Sequence, residues 1–280
     1  RDEDGGLVFD SGRTEARESQ QIVLRIPGLL PSRVYRWEVC VWDGDGKPPV
    51  WSEAASFATG LLPPDGWEHI PFLTARAPLE ERLRNTFWFR SDAVLPKADG
   101  PVLLHLTSIG QHELWINGAR AEGRPLAPSR SNLRGFRRAL AVTYDVTALV
   151  REGMNRIGVW LDADWARSEN AEPCFAAALC AGGIRLTTAD GTWLCRRAST
   201  EHTGGFTWSD FGGERIVCGA ENGWLDGEAA PPVWSEAAVC GARRFDGGAG
   251  TQTLPRRRQR RDGLFVPRRR RNPAPSRPAV

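Results

Sequence analysis

Long apolar runs, lysine, tyrosine and closely spaced cysteine pairs are what this 280-residue sequence has least of, and each shortage closes off a class of protein. The longest apolar stretches, such as Cys174–Ala181, fall well short of the roughly 18 residues a membrane-spanning helix needs. The six cysteines (Cys40, Cys174, Cys180, Cys195, Cys218 and Cys240) include no C-x-x-C pair, and no histidine stands at zinc-ligand spacing from any of them. Structural zinc is therefore not expected, and the cysteines read as small buried hydrophobes rather than as three disulfides. No Gly-x-Ser-x-Gly occurs, and His69, His105, His112 and His202 have no Ser or Cys in a nucleophile context. Gly212-Gly213 precedes no helix carrying a Lys, so a phosphate loop is absent. The sequence begins at Arg1 and shows no basic segment followed by an apolar one, so a fragment without a visible secretory signal is expected. Cytoplasmic and secreted locations both stay open.

What is present points to a packed all-β chain. Hydrophobic residues make up 41% and charged residues 25%, which excludes disorder throughout. The net charge of +3 hides an asymmetry, because residues 251–280 carry ten Arg and one Asp. The remainder, with 27 basic and 33 acidic side chains, is at −6, which argues against a nucleic-acid-binding body. Twelve Trp stand against two Tyr, all between Trp37 and Trp234. Indole serves a sandwich core and a sugar-stacking platform equally well, and composition leaves that choice open.

Strand-like runs follow one another with turn signals between them. Ile22–Ile26 and Val34–Trp42 come first, the second alternating so that Tyr35, Trp37, Val39 and Val41 form the expected inward face. After Pro63-Pro64 the candidates are Asn85–Phe89, Val102–Leu106, Glu113–Ile116, Ala139–Tyr144, Asn155–Leu161, Phe175–Cys180, Ile184–Thr187 and Thr192–Arg196. Asn117-Gly118 and Asp190-Gly191 sit where two-residue hairpin turns belong. A helical turn is expected around Asp145–Arg151, and almost no helical period is visible elsewhere. The pattern implies an antiparallel β-sandwich or jelly roll. The octapeptide Pro48–Ala55 recurs unchanged as Pro231–Ala238, too short for a repeat architecture and read as two strand entries.

Leu30–Leu61, with its Tyr-Arg-Trp-Glu-Val-Cys-Val-Trp-Asp run, Trp51-Ser52-Glu53 and Phe57–Leu61, resembles the fibronectin-III-like module that opens bacterial α-L-rhamnosidases of glycoside hydrolase family 78. Gly110–Gly118, Leu126-Ala127-Pro128, Thr143–Leu149, Gly153-Met154-Asn155, Gly158–Leu161 and Ala189–Thr192 resemble the β-sandwich that follows it in that family. The resemblance implies a truncated fibronectin-III-like sandwich over residues 1–62, a jelly-roll-like β-sandwich over 63–242 and a disordered Arg-rich tail over 243–280. It implies a non-catalytic N-terminal part of such an enzyme, since the family cleaves terminal α-L-rhamnose in a downstream (α/α)₆ barrel that this chain does not reach. The chain alone is expected to be inactive. Its expected partners are a rhamnose-containing glycan and the catalytic barrel, with neither membrane nor nucleic acid. A stand-alone carbohydrate-binding or adhesion module is the alternative.

Site candidates come from the same resemblance. Related modules bind L-rhamnose through calcium, the one cofactor suggested here, and Asp162 and Asp164 in Leu-Asp-Ala-Asp-Trp are the metal candidates, with Trp165 as the aromatic face. Asn117 could join them, against its plainer role as a turn residue. Asp210 and Glu214 match a Ser-Asp-x-x-x-Gly-Glu segment that leads toward the catalytic domain, and Trp208 beside them could stack on a sugar. No Asp or Glu is expected to be catalytic. Arg256–Arg261 and Arg268–Arg271, which in isolation resemble a nucleic-acid-binding arm, are expected to be out-of-frame or truncated-gene sequence instead.

Overall fold

The computed structural model describes residues 1–15, 22–42, 49–62, 66–121, 140–169, 171–204, 212–216 and 233–240. Its strands, in chain order, begin with β1 (Val34–Trp37), β2 (Cys40–Val41), β3 (Val50–Trp51) and β4 (Ala55–Ala58). They continue as β5 (Leu73–Thr74), β6 (Asn85–Leu95), β7 (Val102–Ile109), β8 (Gln111–Ile116), β9 (Ala119–Arg120), β10 (Ala141–Asp145) and β11 (Gly153–Asp162). The last are β12 (Cys174–Ala181), β13 (Ile184–Thr187), β14 (Leu194–Thr203), β15 (Gly213–Ile216), β16 (Ser235–Glu236) and β17 (Ala238–Val239). Helix α1 (Leu79–Arg84) precedes β6, and a 3₁₀ helix (Asp164–Glu169) follows β11. The all-β expectation holds, and every pairing between these strands is antiparallel.

Two sheets make the sandwich. One runs β10-β7-β12-β5-β17, with β13 also paired to β12, and the other β15-β14-β6-β11-β8-β9, with β16 also paired to β14. Period-2 alternation sends one face of each strand into the core. Phe87, Phe89, Leu114, Ile116, Ile157 and Val159 from the second sheet meet Leu104, Leu106, Phe175 and Leu179 from the first. Phe175 packs edge-on against both Phe89 and Trp193, with ring centroids 4.9 and 5.3 Å apart. Strand β12 is buried on both faces. Its Phe175, Ala177 and Leu179 point to the main core, while Cys174, Ala176 and Ala178 pack under Ile70, Phe72 and Ala166. The small side chains of this strand suit a position with layers on both sides. Gly182 and Gly183, both at positive φ, close the β12–β13 hairpin.

Helix α1 has no counterpart in the sequence reading. At six residues it is too short to show a period, and only Leu83 in it is buried. A buried ion pair between Arg82 and Glu172 fixes it, and Arg82 also donates to Thr74 Oγ1 at 2.7 Å. The turn around Asp145–Arg151 is present, with Asp145 Oδ1 accepting the Thr147 N–H and Val150 N bonding to Val146 O.

In the N-terminal part, β1 pairs with β4 and β2 with β3, in two separate two-stranded sheets. The expectation of one strand with four inward residues is corrected here. Tyr35 is buried and its hydroxyl accepts the Leu30 N–H, but Trp37, Val39 and Val41 are 49%, 45% and 64% exposed. The chain breaks its extended run between β1 and β2, and among the described residues no second layer lies over that face. Ile22–Ile26, expected as a strand, forms none. Of the five described cysteines, Cys174, Cys195 and Cys240 are buried.

Candidate functional site

The polar cluster with the most chemistry lies on the outer face of the second sheet, at one end of it. Strand β11 ends at Asp162, and β7 turns into β8 through Gly110, carrying the chain from the first sheet to the second. Gly110 has φ +104°, and a Cβ there would stand 2.0 Å from the Asp162 carbonyl oxygen. Only glycine lets the sheet-crossing corner approach β11 so closely. Beneath the corner, buried His112 Nδ1 lies 2.8 Å from Ser108 Oγ and its Nε2 3.0 Å from Tyr144 OH. Burial lowers the His112 pKa to about 3 and raises that of Tyr144 to about 12.

Two side chains from the β14–β15 edge of the sheet complete the cluster. Strands β14 and β15 pair so that His202 stands opposite Glu214. His202 Nε2 lies 2.6 Å from Asp162 Oδ2, and its Nδ1 lies 3.8 Å from Glu214 Oε1. One ring nitrogen and one oxygen of each carboxylate fall within 4.8 Å of one another. The side chains of His202, Asp162 and Glu214 are 14%, 24% and 48% exposed, so the cluster is anchored at its base and open to solvent. Asp162 Oδ1 accepts the Asp164 N–H at 2.5 Å, and Asp164 holds φ +44°.

An aromatic tract adjoins it. Trp160 precedes Asp162 by two residues and so shares its face of β11. It stacks on Trp88, with centroids 5.2 Å apart and 14° between planes, and Trp115 meets Trp88 edge-on. Trp234 packs against this group, with Arg90 and Arg196 over its ring at 4.6 and 5.4 Å. Trp193 lies in the core, whereas these four form a tract on the outer face.

Asp162 and Glu214 came from two separate sequence segments and converge here. His202 is the residue sequence reasoning passed over. The glycine pairs Gly204-Gly205 and Gly212-Gly213 are compatible with a hairpin that puts residue 202 opposite 214, and that was the signal available. Asp164 contributes its backbone N–H to the cluster. Asn117 is held within the fold: its amide donates to Leu149 O and Asn155 Oδ1, and its Oδ1 accepts the Arg156 N–H, all at 2.9 Å. At φ +50°, followed by Gly118 at +82°, it also forms the β8–β9 turn. Trp165 lies in the 3₁₀ helix, with its side chain outside the described residues, as are Trp208, Asp210 and the tail over 243–280. Calcium, which takes six to eight oxygen ligands, is a poor match for a cluster centred on an imidazole nitrogen.

Two-layer antiparallel packing with an open polar cluster on one outer face defines a β-sandwich module, joined here to a smaller β unit before it. The Rha78A-like, N-terminal immunoglobulin domain family matches residues 1–63, and the α-L-rhamnosidase N-terminal domain family matches residues 100–204. Both matched families are N-terminal domains of α-L-rhamnosidases. An α-L-rhamnosidase of Formosa agariphila is 26% identical over 179 residues, covering 57% of this chain and 19% of that protein. That of Streptomyces avermitilis is 25% identical over 227 residues, covering 72% and 21%. The chain thus spans about a fifth of the length of these curated relatives. Among solved structures, the α-L-rhamnosidase from Aspergillus terreus superposes with a TM-score of 0.65 at 21% identity, over 81% of this chain and 28% of that one. The enzyme from Dictyoglumus thermophilum gives 0.64 at 22%, over 84% and 28%. At these identities the structures share the fold.

Proposed function

We propose that this chain is the substrate-recognition and barrel-supporting N-terminal part of an α-L-rhamnosidase-like glycoside hydrolase, with a rhamnose-containing glycan and an (α/α)₆ catalytic domain as its partners. We further propose that residues 1–62 and 63–242 act as two modules, followed by a separate segment over 243–280. The observation that carries this reading is the presence of both rhamnosidase N-terminal domains, in order, on one chain. The cluster's geometry supports a binding role over a hydrolytic one. Inverting hydrolysis needs an acid and a base about 6.5–9.5 Å apart with their oxygens free for substrate and water. Here Asp162 commits one oxygen to the Asp164 N–H and the other to His202. An open carboxylate-imidazole group beside a tryptophan tract suits sugar hydroxyls and a sugar's apolar face.

Calorimetric titration with L-rhamnose, with D-glucose as control, tests this. Saturable heat with rhamnose alone, weakened by Asp162→Ala, is expected. Equal responses to both sugars, or none, would remove the recognition role and leave support of the barrel. Release of rhamnose from an aryl α-L-rhamnoside by this chain would overturn the non-catalytic assignment.

A further inference from the structure

We propose that Asp162, His202 and Glu214 form a binding site for a divalent transition-metal ion of the zinc type. The proposal rests on the cluster's donor chemistry and stands whether or not the chain binds rhamnose. Two carboxylates converge on one imidazole, and a neutral imidazole has a single N–H to offer. Nε2 faces Asp162 Oδ2 at 2.6 Å and Nδ1 faces Glu214 Oε1 at 3.8 Å, so a neutral ring can donate to only one of the two carboxylates. The other ring nitrogen and the carboxylate it faces are then both electron-pair donors. A cation supplies what the protein donors lack.

The spacing and chemistry select the ion. Neighbouring donors of a tetrahedral shell with bonds of about 2.0–2.1 Å lie ~3.3 Å apart. The two ring nitrogens point to opposite sides, so one of them ligates; one ring nitrogen and one oxygen of each carboxylate already lie within 4.8 Å of one another, and side-chain rotations bring these three donors onto one ion. One nitrogen and two carboxylate oxygens form a borderline donor set, which favours zinc-type ions over calcium or magnesium. Asp162 is pre-oriented by the Asp164 N–H and by the close approach of Gly110 to its carbonyl. His202 is fixed by the ladder that sets it opposite Glu214, and the exposed Glu214 can close over an ion from solvent. Three protein ligands leave a fourth position for water or a sugar hydroxyl.

Titration of the full chain with zinc chloride, and separately with calcium chloride, provides the test, with cobalt(II) as a spectroscopic reporter of the ligand set. Stoichiometric zinc binding is expected, with affinity at least about tenfold weaker in both His202→Gln and Glu214→Gln. Cobalt should show tetrahedral N/O bands without a thiolate charge-transfer band, which separates this site from the cysteines. Glu214→Gln changes a half-exposed side chain, so its fold is preserved, and zinc should raise the unfolding midpoint of the parent chain but not of this variant. Absence of zinc binding, unchanged affinity in both variants, a thiolate spectrum, or calcium binding as tight as zinc would each overturn the proposal.

Discussion

Gly110 shows how much one residue decides. Its φ of +104° and the 2.0 Å approach that a Cβ would make to Asp162 O mean that Gly110→Ala has no relaxed conformation. A loss of about 2 kcal/mol or more is expected by chemical denaturation, with Asp162 displaced from His202. Two buried histidines set the acid limit. Burial, with a further push from the Arg185 cation, lowers the His105 pKa to about 4, and burial alone takes His112 to about 3. His105 lies between Thr143 Oγ1 and Ser32 Oγ, each at 2.8 Å, and so joins the N-terminal part to the sandwich. Both rings are neutral when folded and take up a proton near pH 6.5 when unfolded. Their contribution is complete above pH 6.5 and is lost as pH falls toward 4 and 3, by roughly 1.4 kcal/mol per pH unit for each ring. Unfolding midpoints measured between pH 7 and 4 should fall, and His112→Gln should make that slope shallower.

At the scale of elements, one octapeptide adopts two fates. In Pro48–Ala55 the pair Val50-Trp51 forms β3, with Trp51 63% exposed, whereas in Pro231–Ala238 the strand is Ser235-Glu236 and Trp234 lies against Arg90 and Arg196. Identical local propensity is overridden by what each copy packs on. Trp51→Ala should change stability by less than about 0.5 kcal/mol, and Trp234→Ala should cost about 2 kcal/mol, both read from denaturant curves. Helix α1 depends on its ion pair in the same way. Glu172→Gln leaves Arg82 buried opposite a neutral group, and a loss of about 3 kcal/mol is expected. Alternating runs such as β8 and β11 were legible because a half-buried strand must alternate. Helix α1 and the Gly182-Gly183 turn were not, since a six-residue helix held by a partner ninety residues away leaves no periodic trace.

For the whole molecule, burial is concentrated in the sandwich. Among the described residues, apart from Tyr35, the buried hydrophobic ones lie at Ile70 or beyond, while Trp37, Val39, Val41, Val50 and Trp51 stand exposed in the N-terminal part. On the proposed division, residues 63–242 expressed alone should unfold in one cooperative transition, and residues 1–62 alone should not. A sharp calorimetric transition for 1–62 would contradict this.

Alternation and turn dipeptides determined the all-β class, because period-2 burial and left-handed turn positions constrain residue type locally, and the resemblance of the motifs and their order implied the rhamnosidase modules. Those same local rules could not say that Asp162 and Glu214, 52 positions apart, would share one imidazole. That meeting depends on β14 and β11 flanking β6, on the His202–Glu214 register, and on Gly110 letting the corner close on β11. These are long-range pairings, and only the tertiary structure decides them.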